Sequence, residues 1–449
     1  MKATDVVIIG GGLAGLVAAD QLKRNGYDVI VMEGRERLGG RIHTVTIAGV
    51  PVDCGATWVG PNHEAVRELA ARLKCELVPQ YDTGEGVLSL NGERKVGGLS
   101  AVPSDVGQDL ESIIYAISTL VEELPAESAW SHAKAAQFDS ITFGGWLTSK
   151  RALTATRKIL NVFCLVHWGA PLDEVSFFNA LRYIKTLGGM KAMMSVEGGN
   201  EQDRILGSAH SLVTNLAQTL GSQVLVGSPV QKIDYENEGV TVTSEEHTIA
   251  ARYAIVTASP VHRSYIKYHP ALPEAHYGLA RTWQLGALSK AFAAYERPFW
   301  RDSGLSGQGI IDGEPAFLTL DVSPSAEGPG ILMVFCSWRG FDDCNMEHRR
   351  QRVVDQLEHL FGKEARDLID YADFSWGNDS FAPGGPNPAL LPKTWTAFGQ
   401  YLREPVGPIH WAGTETAEDT SGSMNGAILS GQRVAAEVHL RLTSANRRP

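Results

Sequence analysis

Apolar positions open the chain as an unbroken run, V-V-I-I over residues 6–9, and then change to a helical period. A run of aliphatic residues with no polar alternation predicts a strand buried on both faces, as in a parallel sheet. Leu13, Leu16, Val17 and Leu22 follow at helical spacing and Asn25-Gly26 supplies a C-terminal stop, so a helix lies between them. A second strand is predicted over 27–32, ending on Glu33. Leu110, Ile113, Ile114, Ile117, Val121 and Leu124 mark one face of a helix over 105–124, capped by Ser104 or Asp105 and ended by Pro125. Residues 126–200 read as mostly helical, with aromatic content at Phe163, Trp168, Phe177, Phe178 and Tyr183. A helix over 209–220 leads into a short strand at 224–226, and strand patterns follow at 239–243 and 253–258. Strands broken by Pro and Gly turns occupy 281–340, and a helix over 347–361 closes on Gly362. The last helix, about 424–442, carries Ile428, Leu429, Val434, Ala435 and Val438.

The turn between the first strand and helix is G-G-G-L-A-G, with Gly10, Gly12 and Gly15 on the G-x-G-x-x-G spacing. Gly10 permits the tight turn, Gly12 lets backbone approach a pyrophosphate, and Gly15 lets the helix pack against the strand. The helix aims its N–H groups and positive end at the phosphates. Glu33, about 20 residues past the turn, is placed to accept ribose hydroxyls. Strand, glycine turn, helix, strand and acid in this order identify an ADP-containing dinucleotide; the acid disfavours a 2′-phosphate, leaving NAD or FAD. Arg37, Gly39, Gly40 and Arg41 follow as R-L-G-G-R, where two glycines admit a ligand and two guanidiniums can fork to pyrophosphate oxygens. This second site suits a buried FAD. A second glycine-rich turn, S-G-S-M-N-G, precedes the last helix, so one long ligand touched from both ends of the chain is expected, with interleaved domains.

The 449 residues allow about two to three domain-sized units. Hydrophobic residues are 43% and charged residues 20%, as in ordinary globular proteins. A net charge of −11 argues against a nucleic-acid surface. Cys54, Cys75, Cys164, Cys336 and Cys344 lack metal or redox spacing and read as reduced thiols. With the first strand beginning near residue 5, no leader is expected, and no apolar run reaches about 18 residues. The end of the chain reads as a short polar tail, and a cytoplasmic location is expected.

The chain resembles the flavin-dependent amine oxidases, the monoamine and polyamine oxidase group. Besides the N-terminal motifs, the matching segments are D-C-G-A-T-W-V-G-P at 53–61, S-P-V-Q-K-I at 228–233, L-S-K-A-F-A-A-Y-E-R-P-F-W at 288–300, and I-H-W-A-G-T-E-T-A with S-G-S-M-N-G-A at 409–427. They run in family order along essentially the whole chain. The resemblance implies an α/β fold, a Rossmann-like FAD-binding domain interleaved with a mixed α+β substrate-binding domain. Residues 1–80, 205–280 and 380–449 fall to the first, and 81–204 and 281–379 to the second. It implies hydride removal from the carbon next to a primary or secondary amine nitrogen, giving an imine that water hydrolyses, with dioxygen leaving as hydrogen peroxide. The expected partners are a small-molecule amine and dioxygen, without nucleic acid, membrane or metal; homodimers are common in the family.

By the same resemblance Lys290 assists the reaction with oxygen through a water at the flavin. Thr57, Trp58, Val230, Gly413, Thr414, Glu415, Ser423 and Met424 join the cofactor site, Val230 and the 413–415 loop chiefly through backbone. The helix starting near Ser423 would set its positive end beside the flavin's pyrimidine ring. The two positions that in many monoamine oxidases carry an aromatic sandwich read Ser423 and Pro386. An amine could instead rest against Trp58 or Trp395, with Phe163, Cys164, Trp168, Met193 and Leu318 completing the pocket. Gly385 stands where some relatives attach FAD through cysteine, so non-covalent FAD is expected. Thr57 and Trp58 replace the arginine that clamps a free amino acid's carboxylate. Two other readings stay open: a flavin dehydrogenase or oxidase of an alkaloid-like amine, and a non-catalytic FAD-stabilised scaffold.

Overall fold

Parallel strand ends decide where the ligand cavity lies. The computed structural model describes residues 2–125, 128–236, 239–313, 315–325, 327–337 and 340–445; the last four residues of the polar tail lie outside them. Among the described residues, eight strands build one sheet in the order 224–225, 29–32, 2–9, 248–256, 239–243, 232–236, 267–269, with 409–411 also pairing 248–256. Lys2–Ile9 runs parallel to both Val29–Met32 and Thr248–Val256. Ile9 is level with Met32 on one side and Val256 on the other, and Val256 is level with Trp411. Gly10, Glu33, Thr257 and Ala412 therefore emerge together from one edge, the carboxyl edge where open α/β sheets bind ligands. The N-terminal and C-terminal glycine turns meet because their strands flank the same central one.

Strand Thr248–Val256 begins five residues before the predicted start. Its first half is T-I-A-A-R, where Ala250 and Ala251 weaken the strand signal, and neighbours on both sides impose the extended form. The first helix spans Leu13–Arg24 and stops at Asn25 as expected. It packs on the last helix, Met424–Ala445: a Cβ on Gly431 would lie 2.5 Å from the Ala14 carbonyl oxygen. Leu16, Val17 and Leu22 meet Ile428, Val434 and Val438 there in one buried cluster.

A second sheet has the order 370–375, 288–295, 330–337, 316–321, 305–311, 85–90, 93–96. Its strand Leu288–Tyr295 is buried throughout and alternates between two cores. Leu288, Phe292 and Ala294 enter one cluster, whereas Ala291, Ala293 and Tyr295 enter another. Lys290 shares the face of Leu288 and Phe292. The helices between residues 104 and 194 pack together around Phe143, Phe177, Phe178 and Trp168. In the helix Ser104–Glu123, Pro103 is the N-cap; Ser104 and Asp105 lie inside the first turn and make no side-chain cap.

Candidate functional site

Both glycine turns open on one cavity of about 460 Å³ that runs from Gly10, Gly12 and Glu33 to Lys290, Trp58 and Phe335. At its first end the turn is compressed. Gly10 has φ 111°, and a Cβ there would lie 2.2 Å from Thr257 Oγ1. A Cβ on Gly15 would lie 2.1 Å from the Gly10 carbonyl oxygen. Gly12, the helix N-cap, makes no side-chain cap. Leu13 and Ala14 line the cavity, so the first-turn N–H groups face it, ready for an anion. Glu33 accepts from Gly11 N–H at 2.8 Å and Arg35 N–H at 2.9 Å, which fixes its carboxylate at the end of the strand.

Gly39 and Gly40 pack directly against Gly12, with Gly39 N–H donating to Gly11 O at 2.9 Å. Arg41 pairs with Glu415 at 2.7 Å and donates to Pro386 O at 3.0 Å, tying the R-L-G-G-R loop to the C-terminal loops. Arg37 behaves differently from the expectation. Its guanidinium turns onto Gly40 O at 3.1 Å and lies 3.6 Å from Asp379, away from the cavity wall. Asp379 also takes Arg35 and the N–H groups of Phe381 and Ala382, so it fastens the 379–383 strap beside the cavity.

Ser423 Oγ accepts from Gly426 N–H at 3.1 Å and donates to Thr420 O at 2.6 Å. It caps the last helix, whose N-terminal residues Met424 and Ala427 reach the cavity. Thr414 Oγ1 donates to Ser423 O at 2.9 Å, holding the 413–415 loop beside that helix start. Val230, Gly413, Pro386 and Met193 also lie on the wall.

Lys290 lies on the cavity wall. Its Nζ donates to Asp53 O at 3.2 Å, Gly55 O at 2.8 Å and Thr57 Oγ1 at 2.8 Å. It lies 4.8 Å from the Trp58 ring centre and 5.2 Å from that of Phe335. Burial pushes its ammonium down to about 8, opposed chiefly by the charge of Asp53.

Five expected pocket residues are not on the wall. Phe163, Cys164 and Trp168 are buried in the helical core, where Trp168 packs edge-on against Phe163 and Tyr183. Trp395 donates to Asn179 Oδ1 at 2.9 Å and stacks on Trp130. Leu318 packs against the apolar cluster on the sheet's face. In the same region the wall is formed instead by His167, Tyr183, Trp283, Phe335, Asn200 and Glu201. Burial pushes the His167 imidazole down to about 3 and the Glu201 carboxyl up to about 7. Glu201 follows G-G-N with no motif around it, so nothing in the sequence marks it as a wall residue.

The profile of the family described as flavin containing amine oxidoreductase matches residues 13–439. AofH of Mycobacterium tuberculosis, provisionally named a flavin-containing monoamine oxidase, is 43% identical over 97% of this chain and 96% of its own. The flavin-containing amine oxidase B of Sus scrofa is 30% identical over 97% of this chain and 86% of its own. Among solved structures, putrescine oxidase bound to putrescine superposes with a TM-score of 0.93 at 27% identity, covering 98% of this chain and 99% of that one. Cyclohexylamine oxidase from Brevibacterium oxydans gives 0.92 at 28%, with the same coverage.

Proposed function

The chain belongs to the flavin-containing amine oxidoreductases, and on that premise we propose how its own residues serve the oxidation of an amine. FAD, when bound, would supply the hydride acceptor for the carbon next to the amine nitrogen and the route by which the electrons reach dioxygen. Gly10, Gly12 and the first helix N-terminus would hold the pyrophosphate, and Glu33 would take the ribose hydroxyls. Arg41 and Glu415, paired on the cavity wall, would brace the cofactor there. Lys290 would hold positive charge on the cavity wall, where it would favour electron transfer to dioxygen. Trp58, Phe335 and His167 exclude water and present apolar surface to the substrate.

The observation that carries this reading is one cavity that joins both glycine turns and has Lys290 on its wall. The two sheets support the division into a cofactor part (1–80, 205–280, 380–449) and a substrate part (81–204, 281–379), since each sheet draws its strands from one set. FAD is held without a covalent bond: Gly385 offers no thiol, and Cys54, the cysteine on the wall, is kept protonated by burial, which pushes it up to about 12. The substrates named for the solved relatives, putrescine and cyclohexylamine, make an alkyl diamine and a cycloalkyl monoamine the first candidates. A cytoplasmic location rests on five unpaired cysteines, and a homodimer is to be tested by sedimentation.

Anaerobic mixing with amines, amino acids and polyamines tests the function. Bleaching of the visible flavin band by one amine class is expected. A flavin that dithionite reduces but no amine does would instead make the protein a scaffold.

A further inference from the structure

Three carboxylates stand on the cavity wall, and two of them are committed. Glu33 accepts from backbone N–H groups, and Glu415 pairs with Arg41. Glu201 makes no hydrogen bond or ion pair with any described residue and stands half-buried on the cavity wall. The cation whose charge acts on it is Lys290. All three N–H groups of Lys290 are already taken by Asp53 O, Gly55 O and Thr57 Oγ1, so none is left for Glu201. A half-buried carboxylate with no protein donor is left to whatever enters the cavity, and a ligand bringing both charge and N–H groups satisfies it.

The rings on the same wall suit that ligand. Tyr183, on whose hydroxyl Glu201 acts by charge, packs against His167, and Trp58 and Phe335 complete an aromatic lining. Aromatic faces attract a cation and cover its carbon skeleton. Ser423, by contrast, is occupied with capping a helix, and Pro386 offers no ring face with π electrons.

We propose that Glu201 is the specificity-determining residue that receives a cationic nitrogen of the substrate. This rests on the amine-oxidation reading and names how the amine is held. The ammonium donates to the carboxylate, and the carbon chain lies along the rings. The substrate class is an amine that enters the cavity protonated, with a compact apolar body.

The test uses oxidised, FAD-loaded protein and an unreactive amine that has no hydrogen on the carbon beside nitrogen. Binding is read from the perturbed flavin spectrum, beside the alcohol of the same skeleton and the matching diamine. Wild type is expected to bind the ammonium at least about 10-fold more tightly than the alcohol. Glu201→Gln is expected to raise the ammonium Kd about 10- to 100-fold and leave the alcohol within about 3-fold. Equal weakening of monoamine and diamine assigns the received nitrogen to the one being oxidised; loss confined to the diamine assigns it to the second. An unchanged ammonium Kd, or equal losses for ammonium and alcohol, overturns the proposal. If Glu201→Gln fails to keep FAD, the wild-type comparison decides, and no preference for ammonium overturns it. Failure of reactive amines to reduce wild-type flavin is a separate result, and counts against amine oxidation itself.

Discussion

Lys290 and Phe335 stand opposite each other on neighbouring antiparallel strands, with the Lys290 Nζ 5.2 Å from the centre of the Phe335 ring. Cross-strand partners share a face, so the register alone brings this cation to an aromatic wall. The ammonium is held by three oxygens behind it and faces rings in front.

Lys290 gives a pH signature. Its folded pKa, about 8, lies below the ordinary 10.5, so between these values the folded chain binds fewer protons than the unfolded one. Stability contributed by this site therefore rises with pH across that window. Denaturant midpoints from pH 7 to 10 are expected to show this slope in wild type and lose it in Lys290→Met. Stopped-flow reaction of the reduced holoenzyme with dioxygen should slow as pH rises through about 8. In Lys290→Met it should be about 100- to 1000-fold slower at pH 7.

Glu201 has the opposite sign. Burial holds its carboxyl near 7 against an ordinary 4.5, so the folded chain binds more protons between these values. Stability from this site falls as pH rises through the window. Glu201→Gln is expected to stabilise the apoprotein by about 1–3 kcal/mol at pH 8 and to be neutral near pH 4. Equal shifts at both pH values in calorimetry would mean that no charge penalty exists.

Asp379 fastens Arg35, Arg37 and the 379–383 strap. Burial pushes its carboxyl up, but hydrogen bonding and charge from Arg35 outweigh this and leave it below its ordinary value. Asp379→Ala uncovers two guanidiniums and should cost about 3 kcal/mol. Faster release of FAD on dilution, followed by its fluorescence, is expected together with a lower Tm. Retention of FAD at the wild-type rate would show that the strap is unimportant to the cofactor.

Two glycines of one motif should fail differently. At Gly15 an added Cβ meets backbone at 2.1 Å, whereas at Gly12 the nearest atom is Gly40 Cα at 3.8 Å. Gly15→Ala should therefore not yield a stable folded chain. Gly12→Ala should give an apoprotein with a near-native melting curve that binds FAD at least about 10-fold more weakly. Normal FAD titration of Gly12→Ala would remove Gly12 from the cofactor site.

The sequence was most legible where local rules and the fold agree. The run over 6–9, the glycine spacing and Asn25-Gly26 all describe one strand–turn–helix unit, and its boundaries fall within a few residues. Long-range pairing was less legible. The hairpin formed by Glu85–Leu90 and Glu93–Val96 went unpredicted although Asn91-Gly92 sits at its turn, with φ 55° and 78°. Ala250 and Ala251 hid the start of a central strand because tertiary neighbours, not propensity, make it extended. Pocket residues were hardest. Aromatic content alone cannot separate Trp168, sealed in the helical core, from Tyr183 and His167 at the wall, because even adjacent positions of one helix, His167 and Trp168, fall on the two sides.

The pairing of Lys2–Ile9 with Thr248–Val256 sets a clock on biosynthesis. About 240 residues separate the partners, which at ribosomal speed is a wait on the order of 10–50 s. Until then V-V-I-I has Val29–Met32 on one side and an open edge on the other. The helix Met424–Ala445, which closes the cavity beside Gly12, is made later still. The cofactor consequently cannot guide the early chain as a template. It can only lock a fold that is already nearly whole, so truncation shortly before residue 409 should leave a nascent protein with two glycine loops planned and only one delivered.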